Sequence, residues 1–255
     1  MASASDGGED DPGPRPWFAL HGFAGSPELW DRIFPSSAAA AAPLLPGHGG
    51  APIVAGDWHD VVAALAARVV GPHLVGYSLG ARLALAIALA APQRVARLVL
   101  IGGTPGIPDD AQRRARRDWD EAQARQIEAD LPAWADRWEQ LPVFAGQTDL
   151  PPRVRQRQRA WRRDHDPTGL AWAMRTLGQG HMPNLWPALP RLTMPVVYVA
   201  GAGDEKYVAI AHRAAALSPR AQVVTVAGAG HNPILERPLE VHRIITVAPS
   251  RVAAT

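Results

Sequence analysis

Five short apolar runs, each ending in a glycine-rich turn, constrain the fold of this chain more than any other feature. Trp17-Phe18-Ala19-Leu20 ends in His21-Gly22-Phe23, His73-Leu74-Val75-Gly76 in Tyr77-Ser78, and residues 97–101 in Gly102-Gly103. Residues 196–200 end in Gly201-Ala202-Gly203-Asp204, and residues 223–226 in Gly228-Ala229-Gly230-His231. An unbroken apolar run of this length is the pattern of a strand buried on both faces, as parallel strands are. Alanine-rich helical stretches at 58–70, 79–91 and 206–217 complete a βαβ rhythm. The predicted fold class is α/β, a mostly parallel sheet with helices on both faces. Between residues 104 and 190 the rhythm stops. This segment holds six of the nine tryptophans and thirteen of the 25 arginines, and Pro132, Pro142, Pro151-Pro152 and Pro167 divide it into helices. It is expected to be a helical cap inserted into a core formed by 17–103 and 191–255, with 1–16 a disordered tail.

Composition removes several classes of function. With 255 residues, 47% of them hydrophobic, the chain can bury a large core, and zero cysteines exclude disulfides and thiol chemistry. A net charge of +2 makes no footprint for nucleic acid, although all the basic residues except Lys206 are arginine. No run reaches 18 apolar residues and the start lacks a basic, apolar leader, so no membrane association and a cytoplasmic location are expected. The other histidines lack metal-ligand spacing, and no G-x-G-x-x-G or Walker lysine is present, so neither metal nor nucleotide cofactor is expected. The sequence assigns no oligomeric state.

The chemistry concentrates beyond the carboxyl ends of the predicted strands, where open α/β sheets bind ligands. Gly76-Tyr77-Ser78-Leu79-Gly80 is a G-x-S-x-G between a strand and a helix, the context in which such a serine sits on a sharp turn. A reactive serine needs a histidine and the histidine an orienting carboxylate, and His231 and Asp204 end the last two strands. Alone, Asp204 would read as a helix N-cap and His231 as a loop residue. The backbone N–H groups of Leu79 and Phe23 are candidates for an oxyanion site, and His21 for holding the Phe23 loop by hydrogen bonds. Tyr77 either assists that site or only packs.

These residues, with Leu45-Pro46-Gly47-His48-Gly49, resemble the α/β-hydrolase superfamily, whose chain order is also serine, aspartate, histidine. Further motifs narrow the likeness. Arg82 after the serine motif, Thr104-Pro105-Gly106, Trp138 before Leu141-Pro142-Val143-Phe144, Asp166-Pro167-Thr168-Gly169-Leu170-Ala171 and Gly203-Asp204-Glu205-Lys206-Tyr207 are similar to the 2-succinyl-6-hydroxy-2,4-cyclohexadiene-1-carboxylate synthases of menaquinone biosynthesis. The resemblance runs from about Trp17 to Pro238 and includes the cap. It implies a lyase that eliminates pyruvate from 2-succinyl-5-enolpyruvyl-6-hydroxy-3-cyclohexene-1-carboxylate without cofactor, with Ser78, His231 and Asp204 acting as base. The implied partner is a small polycarboxylate, which guanidinium groups grip with paired hydrogen bonds.

Arg82 lies one helical turn beyond Ser78, and an arginine inside an apolar helix is costly to bury unless it meets an anion. The resemblance further implies Arg116 and Arg162 as carboxylate ligands and Trp138 as a pocket wall. The alternatives are a solvated basic helix for the arginines and core packing for Trp138. Two departures stand out: Ala81 where the family has a second glycine, and Pro233 after Gly230-His231-Asn232. Two other functions share these motifs: a carboxylic-ester hydrolase or lactonase with Ser78 as nucleophile, and a non-catalytic ligand-binding protein.

Overall fold

A computed structural model describes residues 17–36 and 39–246; the expected tail and the end of the chain lie outside them. Six strands form one sheet: β1 (Trp17–Leu20), β2 (Ala40–Ala41), β3 (His73–Tyr77), β4 (Arg97–Ile101), β5 (Val196–Gly201) and β6 (Ala221–Val226). Their order is β2-β1-β3-β4-β5-β6 and every pairing is parallel. Alternate residues of each strand feed different layers. Phe18, Leu20, Leu74, Leu98, Leu100 and Tyr198 pack with α1 (Trp58–Arg68) and α2 (Leu79–Ala90). Trp17, Ala19, Val75, Val99, Val197 and Val199 pack on the opposite face with Trp30, Ile234 and Val241. Burial on both faces explains why the strands read as continuous apolar runs. The exceptions are the two edge strands: β2, two alanines with no strand pattern of their own, is held by register with Trp17 and Phe18, and β6 is half-buried over most of its length.

Between β4 and β5 the chain runs through α3 (Asp110–Ala129), α4 (Leu131–Glu139), α5 (Pro152–Arg163) and α6 (Pro167–Leu177). The prolines at 132, 152 and 167 stand in the first turns of α4, α5 and α6, where a missing N–H removes no intrahelical bond. Asp109, Asp130 and Asp166 cap α3, α4 and α6 through their side chains. Of these helices, α3, α4 and α6 share a separate small core, in which Ile127, Leu131, Trp134, Leu170 and Met174 meet Ala24 of the β1 loop, while Val154 of α5 packs with the sheet core. α7 (Glu205–Leu217) follows β5, and α8 (Pro233–Glu236) and α9 (Pro238–Thr246) follow β6 as the last of the described elements.

Strand order reverses at β1, which lies between β2 and β3. That switch point opens a crevice at the carboxyl ends of β1 and β3. The loop that begins at His21 and the turn at Ser78 meet there.

Candidate active site

Ser78 joins β3 to α2 with φ 52° and ψ −107°, a left-handed conformation that side chains rarely adopt. Its backbone N–H donates to Ile101 O at 2.8 Å, which holds the turn on β4. The flanking glycines are needed for close approach: a Cβ at Gly76 would lie 2.2 Å from Gly80 O, and one at Gly80 2.1 Å from Leu20 O. Ala81 fits because its methyl faces Gly103, where a Cβ would come within 2.7 Å of it. The departure at Ala81 is therefore absorbed by the glycine opposite.

His231 connects the serine to a carboxylate. Its Nδ1–H donates to Asp204 Oδ2 at 2.6 Å, since an ionised carboxylate only accepts, which leaves Nε2 to accept from Ser78 Oγ at 3.3 Å. Asp204 stands at the N-cap position of α7 but makes no side-chain cap bond there, so its carboxylate serves His231. Pro233 opens α8, and the Asn232 side chain accepts from Leu235 N. The departure at Pro233 is thus a helix start that fixes the chain just after His231.

The loop after β1 lies against this turn. A Cβ at Gly22 would be 3.6 Å from Ser78 Cβ, so the peptide leading to Phe23 passes beside the hydroxyl. The Leu79 N–H belongs to the first turn of α2, where amides have no intrahelical acceptor. His21 pins the loop: Nδ1–H donates to Gly22 O at 2.8 Å, and Nε2 accepts from Leu45 N at 3.1 Å. Burial pulls its pKa down to about 4, which keeps the ring neutral and able to accept.

A cavity of about 460 Å³ opens over Ser78 and His231, with Phe23, Arg82, Arg116, Trp138, Phe144 and Tyr207 in its walls. Arg82 is buried; its Nη1 donates to Leu177 O at 2.8 Å, and burial pulls the guanidinium down to about 10, so it remains charged at neutral pH. Arg116 lies 4.4 Å over the Trp119 ring and its Nε donates to the fully buried Asp120 at 2.7 Å. Trp138 lines the cavity and packs on Trp134 with centroids 4.9 Å apart.

Three of the sequence candidates do not line the cavity. Arg162 is buried behind Phe144, 4.9 Å over its ring, where its guanidinium meets Glu139 at 3.4 Å and Gln147 at 3.3 Å. Tyr77 lies beneath Gly22 with its ring 5.7 Å from that of His231, and burial raises its pKa, so it stays a phenol. The Leu79 side chain is in the core, and only its backbone turns toward the site. Sequence reading passed over the roles of Gln179, Lys206, Tyr207 and Phe144, all of which reach the cavity. The signals were present: Lys206 is the single lysine, and Tyr207 follows Asp204 by three residues. Among the described residues no group of three His, Asp or Glu side chains is disposed to hold a metal ion. No described helix is long and apolar enough to cross a membrane.

Comparison with known proteins agrees with this geometry. Residues 18–244 match the model of the alpha/beta hydrolase family. A protein from Salmonella schwarzengrund (strain CVM19633) named 2-succinyl-6-hydroxy-2,4-cyclohexadiene-1-carboxylate synthase is 32% identical over 236 residues, covering 89% of this chain and 90% of the relative. A protein from Bacillus subtilis (strain 168), which carries the same name provisionally, is 33% identical over 242 residues, covering 89% of this chain and 87% of the relative. Among solved structures, MenH from S. aureus superposes with a TM-score of 0.86 at 29% identity, covering 91% of this chain and 92% of that one. Its fold, its inserted helices and these relatives together make the chain a member of the alpha/beta hydrolase family and, within it, of the family of the 2-succinyl-6-hydroxy-2,4-cyclohexadiene-1-carboxylate synthases.

Proposed function

We propose that the protein is a carbon–oxygen lyase that converts 2-succinyl-5-enolpyruvyl-6-hydroxy-3-cyclohexene-1-carboxylate into 2-succinyl-6-hydroxy-2,4-cyclohexadiene-1-carboxylate and pyruvate. The names of substrate and product define the chemistry. The ring double bond at C3 becomes a 2,4-diene and the C5 ether is lost, so a proton leaves C2 and enolpyruvate leaves C5. The C2–H pair forms the C2–C3 double bond, the C3–C4 pair moves to C4–C5, and the C5–O pair departs with the oxygen. The enolate so released then takes a proton on carbon to become pyruvate.

Ser78 Oγ is the group assigned to receive the C2 proton while passing its own to His231 Nε2, and Asp204 stabilises the imidazolium. As C2 loses its proton, negative charge spreads onto the succinyl carbonyl. The Phe23 and Leu79 N–H groups are assigned to that oxygen. The site donates and accepts protons with its own side chains, and the reading calls on no cofactor. Residues 104–190 act in it as a cap over the ring. A cytoplasmic location belongs to the same proposal.

The observation that carries this reading is the pairing of Ser78 and His231 with Arg82 and Arg116 in one cavity. A buried guanidinium beside the reactive serine suits a polycarboxylate, whereas an enzyme for neutral esters gains nothing from it. The test supplies purified protein with the enolpyruvyl substrate or with a simple aryl ester. The expected result is pyruvate release that Ser78→Ala abolishes, with little ester cleavage. Ester cleavage without pyruvate would make Ser78 the nucleophile of a hydrolase.

A further inference from the structure

Two residues that the reaction above does not use, Gln179 and Tyr207, form a polar bridge across the cavity wall. Arg116 Nη1 donates to Gln179 Oε1 at 3.2 Å, and Gln179 Nε2 donates to the Tyr207 hydroxyl at 3.1 Å. The directions of these bonds are fixed. Arginine has no acceptor, so the amide oxygen must face Arg116 and the amide nitrogen must face Tyr207. The phenol oxygen is therefore an acceptor in this bond and its own hydrogen is left to donate elsewhere. Among the described residues, the hydrogen bond of this hydroxyl is the one from Gln179.

The surroundings say what that hydrogen can meet. Tyr207 is buried, lines the cavity with Arg82, Arg116 and Lys206, and rests its ring 4.6 Å from the ring of His231. Burial raises its pKa above the usual phenol value, so it is a donor at neutral pH. Gln179 is itself held in place: buried Asp120 grips Arg116 on one side and accepts from Gly180 N at 2.9 Å on the other. A neutral donor oriented among cations matches an anionic oxygen.

We propose that the Tyr207 hydroxyl donates a hydrogen bond to a substrate carboxylate held between Arg82 and Arg116, and that Gln179 sets the direction of this bond. The inference rests on the lyase reading for the identity of the substrate. It makes Tyr207 a recognition residue and Gln179 a positioning residue, joining α7 of the sheet core to the inserted helices through the ligand.

The test is steady-state pyruvate release by Tyr207→Phe and Gln179→Glu. Removing the hydroxyl keeps the ring against His231, so KM should rise about tenfold while kcat changes less than about twofold. In Gln179→Glu the new carboxylate accepts from both Arg116 and Tyr207. The phenol hydrogen then turns away from the substrate, and KM should rise at least as far. A KM for Tyr207→Phe within about twofold of wild type, or a loss confined to kcat, overturns the proposal. A wild type that releases no pyruvate counts against the lyase reading and leaves this inference to a second measurement. In it, succinate is titrated against the fluorescence of the tryptophans near the cavity, Trp119 and Trp138. Weaker succinate binding by Tyr207→Phe supports the hydroxyl contact, and equal binding refutes it.

Discussion

The sheet core and the inserted helices treat arginine in opposite ways. In the core, buried Arg82 donates to Leu177 O, and Arg97 reaches the carbonyls of Ile244 and Ile245 at 2.9 and 2.7 Å. In the insertion, eight of the thirteen guanidinium groups already meet carboxylates, six of them at the surface. Arg157 binds Glu28 and Asp31, Arg159 binds Glu139, Arg163 binds Asp136, and Arg175 binds Glu121 and Glu128. The abundance of arginine in this segment therefore says little about the ligand. What singles out an arginine for binding is a guanidinium in the cavity wall whose charge is not already neutralised at close range. Arg82 meets that condition best, Arg116 partly because Asp120 holds one edge of it, and Arg162 not at all as the chain stands.

This contrast can be broken most directly by comparing Arg82→Ala with Arg162→Ala. Loss of Arg82 should raise KM by about 100-fold, as expected when one partner of a buried charge pair is removed, and KM for Arg162→Ala should change by less than about tenfold. Equal losses would mean that Phe144 moves aside and Arg162 enters the cavity with the substrate.

A second prediction concerns the joint between the two regions. The rings of buried His21 and His48 and half-buried His165 form a row with centroids 5.1 and 5.5 Å apart, and His165 in the insertion accepts from Gly49 N of the core at 2.8 Å. Burial lowers the pKa of all three, that of His21 to about 4. The unfolded chain takes up these protons near pH 6.5, before the folded one does. Stability is thus fully present above that pH and is lost as pH falls toward 4. His21 alone contributes on the order of 3 kcal/mol to this loss. Thermal unfolding should show Tm falling reversibly between pH 6.5 and 4.5, and a flat Tm would contradict the buried-neutral assignment.

The smallest effect belongs to the surface pairs. Arg157→Ala should cost less than about 1 kcal/mol, diminish further in high salt and leave KM unchanged. A larger KM effect would show that the insertion's outer arginines steer the substrate.

The sequence made the core legible because one physical demand, burial on both faces, wrote itself into β1, β3, β4 and β5 as an apolar run. The strands beginning at Trp17, His73, Arg97 and Val196 start where the pattern starts, while the last strand begins two residues earlier than its apolar run, at Ala221. Ser78, Asp204 and His231 were legible for a related reason, since each must follow a strand end to reach the crevice. The short strand at Ala40–Ala41 was not, because its pairing depends on a neighbour rather than on its own residues. Nor could the direction of Arg162 be read, because the contacts of α5 with Glu139 and Phe144 decide it. The bridge from Gln179 to Tyr207 joins residues 28 apart, with nothing local to either that marks the other.

The most direct test of the account is to follow pyruvate and the conjugated diene together when purified protein meets the enolpyruvyl substrate. Both should appear at equal rates, and Ser78→Ala should produce neither. Diene formation that survives Ser78→Ala, or turnover of esters with no pyruvate, would contradict it.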